Sequence, residues 1–158
     1  MNIVIFSNPI RSGKTTRLQQ WCAQKKNIAG ILMPDINGKR NVVDIKTAAS
    51  FEIECSDPEN TSKALVNIGR YYFYAEAFEK ANSILLQAST QTGEWLVIDE
   101  VGKLEIIEKG FYPAVKAIIT TASCKNLLLV VREGLCEAVV SFFKINDYQL
   151  INDLDDLK

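Results

Sequence analysis

Residues 2–6 read NIVIF, residues 7–16 read SNPIRSGKTT, and Leu18, Trp21 and Cys22 follow at helical spacing. A short β-rich apolar run, a loop closed by Gly-Lys-Thr and an amphipathic helix come in the order of a phosphate-cradling loop. That order commits the first part of the chain to a strand, a tight turn and a helix whose N-terminus faces the ligand. The pattern G-x-x-x-x-G-K-[ST] wants glycine where this chain has Asn8.

Such a loop works because consecutive backbone N–H groups form an anion nest, and the following helix adds the positive end of its dipole. Asn8, Pro9, Ile10, Arg11, Ser12, Gly13, Lys14, Thr15 and Thr16 are therefore the candidate nucleotide-binding residues. Gly13 lets the backbone approach the phosphates, Lys14 offers a charge to the β- and γ-phosphates, and Thr15 offers a hydroxyl to Mg²⁺. Asparagine is among the non-glycine residues most tolerant of left-handed backbone angles, so the loop is expected to survive Asn8 in place of the first glycine. Pro9 stiffens the turn and removes one donor. Arg11 either reaches a phosphate or points to solvent.

A second motif lies at residues 95–100, WLVIDE. Four apolar residues and two acids read as a buried strand, expected beside the loop's strand. Asp99 is placed to hold Mg²⁺ through its bound water, and Glu100 to orient or deprotonate an attacking water. The plain alternative is a buried strand ending in two surface acids. Arg132 ends the apolar run NLLLVVR, where open α/β sheets bind ligands. It either senses the γ-phosphate or is a solvated strand-end arginine; Arg40 and Arg70 are weaker candidates. Lys14, Glu100 and Arg132 make up the candidate catalytic set.

Composition narrows the chemistry. The chain has no histidine, which removes Ser-His-Asp and Cys-His catalysis and imidazole metal sites. A net charge of −1 gives no general attraction for nucleic acid or anionic membrane. Cys22, Cys55, Cys124 and Cys136 form no C-x-x-C pair and read as free core thiols. No apolar run reaches membrane-spanning length and the N-terminus lacks a basic leader, so a cytoplasmic protein is expected.

Strands and helices alternate along the rest of the 158 residues, which predicts an α/β layered fold with a mostly parallel sheet. Asn37-Gly38 marks a hairpin turn in a short antiparallel insert. A helix is expected over residues 75–90. A second follows from residue 109, with Pro113 in its first turn, and a third has Leu135, Val139, Phe142 and Phe143 inward. A single domain, 1–158, is expected, with 152–158 as a frayed tail.

The segments SGKTTRL, GILMPDINGKRNVVDI, GRYYFYAEAFEKA and WLVIDEVGKLEIIEKGFYPAV occur in the order seen in the small THEP-type nucleoside-triphosphatases, and the chain resembles that family to about Val115. The resemblance implies a three-layer P-loop NTPase fold with a RecA-like sheet. It implies Mg²⁺-dependent hydrolysis of ATP, GTP and other nucleoside triphosphates. By matching position, Lys14 and Thr15 would bind phosphate and Mg²⁺, Thr16 would lie near the α-phosphate, Asp99 would support the metal and Glu100 would be the general base. The chain departs from the family at Asn8, at Arg11 in place of a second glycine, and at Pro9, one position earlier than the family's proline.

Three functions follow from these residues. The leading one is a slow Mg²⁺-dependent nucleoside-triphosphatase. The alternatives are a nucleotide-binding module with weak or lost turnover, and a nucleoside or nucleotide kinase, against which the lack of an arginine-rich lid counts. The guanine-reading N-K-x-D motif is absent, so no base is selected.

Overall fold

Strand β1 (Asn2–Asn8) begins with β-branched residues that alternate between two apolar environments, Ile5 on one side and Val4 and Phe6 on the other. A strand buried on both faces needs cover on both. The computed structural model, which describes residues 1–9 and 12–157, supplies it. Helix α1 (Lys14–Gln24) follows β1 and packs Leu18, Trp21 and Cys22 on one face of the sheet.

The chain then forms β2 (Ile28–Leu32), β3 (Asp35–Ile36), β4 (Lys39–Asp44) and β5 (Ser50–Glu52). The β3–β4 hairpin turns at Asn37 and Gly38, both with positive φ, as the sequence predicts. A separate two-stranded sheet joins β6 (Leu65–Ile68) and β7 (Tyr71–Tyr74). Helix α2 (Ala75–Ser89), β8 (Trp95–Val101), α3 (Tyr112–Thr121) and β9 (Asn126–Arg132) come next. Helix α4 (Cys136–Phe142) and β10 (Gln149–Ile151) close the order.

The main sheet has eight strands in the order β10-β1-β9-β8-β2-β4-β3, with β5 on β4. From β10 to β2 every pairing is parallel; the β3, β4 and β5 pairings are antiparallel. Helices α2, α3 and α4 cover the face carrying Ile5, Ile98 and Leu129, opposite α1, which gives the three layers expected. No helix among the described residues is long and apolar enough to cross a membrane.

Several local expectations are corrected. Strand β8 does not lie beside β1, because β9 pairs with both and separates them. Asn8 does not use a left-handed backbone. It is the last residue of β1, paired with Arg132, and its Nδ2 donates to the Asn152 carbonyl at 2.8 Å. Residues 152–157 pack against the domain: Leu154 is buried against the α1 layer and Asp153 pairs with Arg17 at 2.7 Å. Phe142 lies outside the core and meets Tyr112 and Phe143 instead, since seven-residue α4 ends before it can turn that side chain inward. Cys22, Cys55 and Cys124 are buried free thiols, and Cys136 is half-buried.

Two buried features set the frame around the site. Gly30, at φ 125°, lies where a Cβ would come within 2.0 Å of the Val97 carbonyl oxygen, so β2 can pair with β8 only if that residue is glycine. Gly30→Ala is expected to lower unfolding stability by at least about 2 kcal/mol in urea titration.

The second feature is Glu105, which is 2% exposed and accepts from the Gly102 N–H at 2.7 Å and the Phe111 N–H at 2.9 Å. It thereby fixes the loop that leaves β8. Burial pushes its carboxyl above the ordinary value of 4.5, against the pull of these donors. The folded state therefore binds this proton more tightly than the unfolded chain. The residue's contribution is fully present below 4.5 and is lost as pH rises through the raised folded value. Urea unfolding at a series of pH values should show the stability of wild type relative to Glu105→Gln falling as pH rises over that window. A difference that grows with pH contradicts this.

Candidate functional site

The parallel strands bring their C-terminal ends to one edge of the sheet, and the loop after β1 and the acids of β8 meet there. Gly13, in the left-handed conformation at φ 76°, turns the chain into α1. A side chain at Gly13 would meet no neighbour, so the requirement for glycine there is one of backbone angle. Helix α1 has no side-chain cap and no acid in its first turn. Its first N–H groups thus remain available to an anion, and the dipole is not neutralised.

Lys14 folds back over the loop, its Nζ donating to the Asn8 carbonyl at 3.0 Å and the Pro9 carbonyl at 2.6 Å. Partial burial lowers its pKa. The Asp99 carboxylate works against that, while Arg132 adds to it and Glu133 opposes it. Arg132 thus stands close enough for its charge to reach Lys14, as its register opposite Asn8 requires. Thr15 is half-buried and its hydroxyl donates to Asp99 Oδ2 at 3.3 Å. Ser12 and Thr16 lie exposed beside these groups. Ile10 and Arg11, also expected in the phosphate set, lie outside the described residues.

Asp99 is fully buried. Its Oδ2 also accepts from the Met33 N–H at 2.9 Å, where the chain leaves β2. Its Oδ1 has no hydrogen-bond partner among the described residues. Burial pushes the carboxyl up, while the Met33 N–H, the Arg40 charge, the Thr15 hydroxyl and Lys14 pull it back. An ionised carboxylate oxygen left alone in a dry site costs several kcal/mol, on the order of an unpaired buried ion. This orphan oxygen beside a threonine hydroxyl suits a hard divalent cation that takes its remaining ligands from water and phosphate, which is the habit of Mg²⁺. No group of three or more Cys, Asp or Glu placed to hold a metal ion occurs among the described residues.

Strand β8 bulges where Asp99 and Glu100 lie. Ile98 pairs with Leu129 and Val101 with Val131, so three steps along β8 match two along β9. Glu100 absorbs the extra residue with a left-handed φ of 67°. For a residue with a Cβ that conformation costs about 1–2 kcal/mol. Bulges of this kind re-aim side chains next to active sites. Here Asp99 lies inside and Glu100 turns out, with a side chain 40% exposed. The alternative of two surface acids therefore fails for Asp99.

Glu100 is not free. Its Oε2 pairs with Nη1 of Arg40 from β4. Sequence reasoning gave Arg40 little weight, since it belongs to no motif; its only signal was a place in the hairpin insert. Arg70 lies over Tyr71 at 5.1 Å and donates to its hydroxyl at 2.9 Å, an arrangement within β7 and its turn. Glu105 also escaped notice, although it falls inside the conspicuous VIDEVGKLE segment.

The chain is similar to known proteins along nearly its whole length. The NTPase family profile matches residues 3–153. No curated protein sequence matches the chain. The solution structure of a human cancer-related nucleoside triphosphatase superposes with a TM-score of 0.72 at 22% identity, covering 96% of this chain and 88% of that one. The crystal structure of THEP1 from the hyperthermophile Aquifex aeolicus gives 0.70 at 19% identity, covering 94% and 88%. The two structures share the fold, and the profile spans nearly all of the chain: the protein belongs to the NTPase family and is, by that membership, a nucleoside-triphosphatase.

Proposed function

We propose that the chain hydrolyses the terminal phosphate of nucleoside triphosphates with Mg²⁺, and that the residues at the C-terminal edge of the sheet carry the reaction. The observation that carries this reading is the buried Asp99, with one oxygen held by Thr15 and Met33 and the other unpartnered among the described residues. Mg²⁺, when bound, neutralises charge on the β- and γ-phosphate oxygens. Thr15 and Asp99 are the residues that would hold it.

In this reading the N-terminus of α1 receives the phosphates. Lys14 gives up the Asn8 and Pro9 carbonyls for phosphate oxygens. Its ammonium is already partly desolvated, so the exchange costs little and puts a full charge against the β- and γ-phosphates. Glu100 accepts a proton from water as the water oxygen bonds to the γ-phosphorus. The bond from that phosphorus to the bridging oxygen breaks, and the electron pair leaves with the diphosphate. Arg132, at the end of the strand between β1 and β8, would answer charge on the γ-phosphate as this bond breaks. No base-reading group is among these residues, which fits turnover of ATP, GTP, CTP and UTP alike.

Steady-state phosphate release with Mg²⁺ and each of the four triphosphates tests this. Lys14→Ala and Glu100→Gln are each expected to lower kcat by about 100-fold or more. A wild type that releases phosphate no faster than Lys14→Ala contradicts the proposal.

A further inference from the structure

The hairpin insert contributes a charge to this edge that no phosphate-loop or metal motif accounts for. Arg40 opens its side chain from β4 toward β8 and pairs through Nη1 with Glu100 Oε2. Its backbone is held independently of that pair. The Arg40 N–H donates to Glu54 Oε2 at 3.0 Å, and its carbonyl accepts from the Ile53 and Glu54 N–H groups at 3.1 and 3.2 Å. The guanidinium therefore projects from a fixed point. Its charge also helps to hold down the pKa of the neighbouring acid, Asp99.

We propose that Arg40 is a guanidinium supplied in cis to the hydrolytic site, pairing with Glu100 while the site is empty and passing to the γ-phosphate oxygens when a nucleoside triphosphate binds. The inference rests on the hydrolytic reading above. A carboxylate engaged by arginine has a lone pair less to offer a water, so Glu100 is held back as a base until substrate arrives. The pair is suited to exchange, because both side chains are partly exposed, 32% for Arg40 and 40% for Glu100, and such pairs contribute little. A phosphate gives the planar fork a two-point partner of higher charge. The left-handed backbone at Glu100 keeps the carboxylate at the edge of the site when the guanidinium leaves it.

The test compares kcat and KM for Mg·ATP in wild type, Arg40→Ala and Arg40→Lys, alongside calorimetric affinity for Mg·ADP. Arg40→Ala is expected to lose about 100-fold in kcat. Arg40→Lys, which keeps stem and charge, should lose about tenfold, since an ammonium cannot span two phosphate oxygens. Both should bind Mg·ADP within about threefold of wild type, because the diphosphate lacks the group Arg40 would contact. The proposal is overturned if both variants keep kcat within threefold, or if Mg·ADP affinity falls in step with kcat, which marks a structural role. A wild type no faster than Lys14→Ala removes the hydrolytic reading and this inference with it. A wild type that turns over while the Arg40 variants do so equally removes only the role of Arg40.

Discussion

The Asp99 carboxylate is buried at the end of a parallel strand, and its neighbours are arranged around the cost of keeping it there. One oxygen is satisfied by an N–H from the loop after β2 and a hydroxyl from the first turn of α1. These contacts tie three separate segments, β2, β8 and α1, to one atom. The other oxygen is left without a partner among the described residues, in surroundings where an unpaired charge is costly. In the proposed reading, a cation at that point would give this costly oxygen its partner.

The same economy explains the sheet. Gly30 admits Val97 at backbone contact distance, which brings β2 against β8 and sets Met33 over Asp99. Strand β9 separates β1 from β8, so the residues that follow β1 and the acids of β8 lie on either side of it. Thr15 reaches Asp99 across this interval, and Arg132 stands at the end of the middle strand. At the bulge in β8 one of two adjacent acids lies inward and the other at the rim. A regular strand would also alternate the pair, but the left-handed angle at Glu100 fixes where the outer carboxylate goes.

Much of this was legible in the residues. Continuous apolar runs in β1 and β9, helical spacing at Leu18, Trp21 and Cys22, and the Gly13-Lys14-Thr15 and Asp99-Glu100 motifs depend on local chemistry, which sequence displays. The Asn37-Gly38 turn and Pro113 at a helix start are equally local. The order of parallel strands is set by long crossovers and tertiary packing, so the placement of β9 between β1 and β8 left no local trace. The backbone of Asn8 is not legible locally for a related reason. Its conformation follows from the ladder with Arg132 and from the Asn152 carbonyl, which is 144 residues away. The packing of Leu154 under α1 depends on a partner surface that an acidic tail sequence does not advertise. The Arg40–Glu100 pair joins residues from separate elements and obeys no spacing rule.

The account stands on Lys14, Thr15 and Asp99 forming one site for phosphate and metal. The most direct measurement is a crystal structure with Mg²⁺ and a non-hydrolysable ATP analogue. The account predicts the cation about 2.1 Å from Thr15 Oγ1, with Asp99 Oδ1 accepting a hydrogen bond from a metal-bound water and Lys14 Nζ moved from the Asn8 and Pro9 carbonyls onto phosphate oxygens. A nucleotide bound elsewhere, or an Asp99 Oδ1 still without a partner in the occupied site, would contradict it.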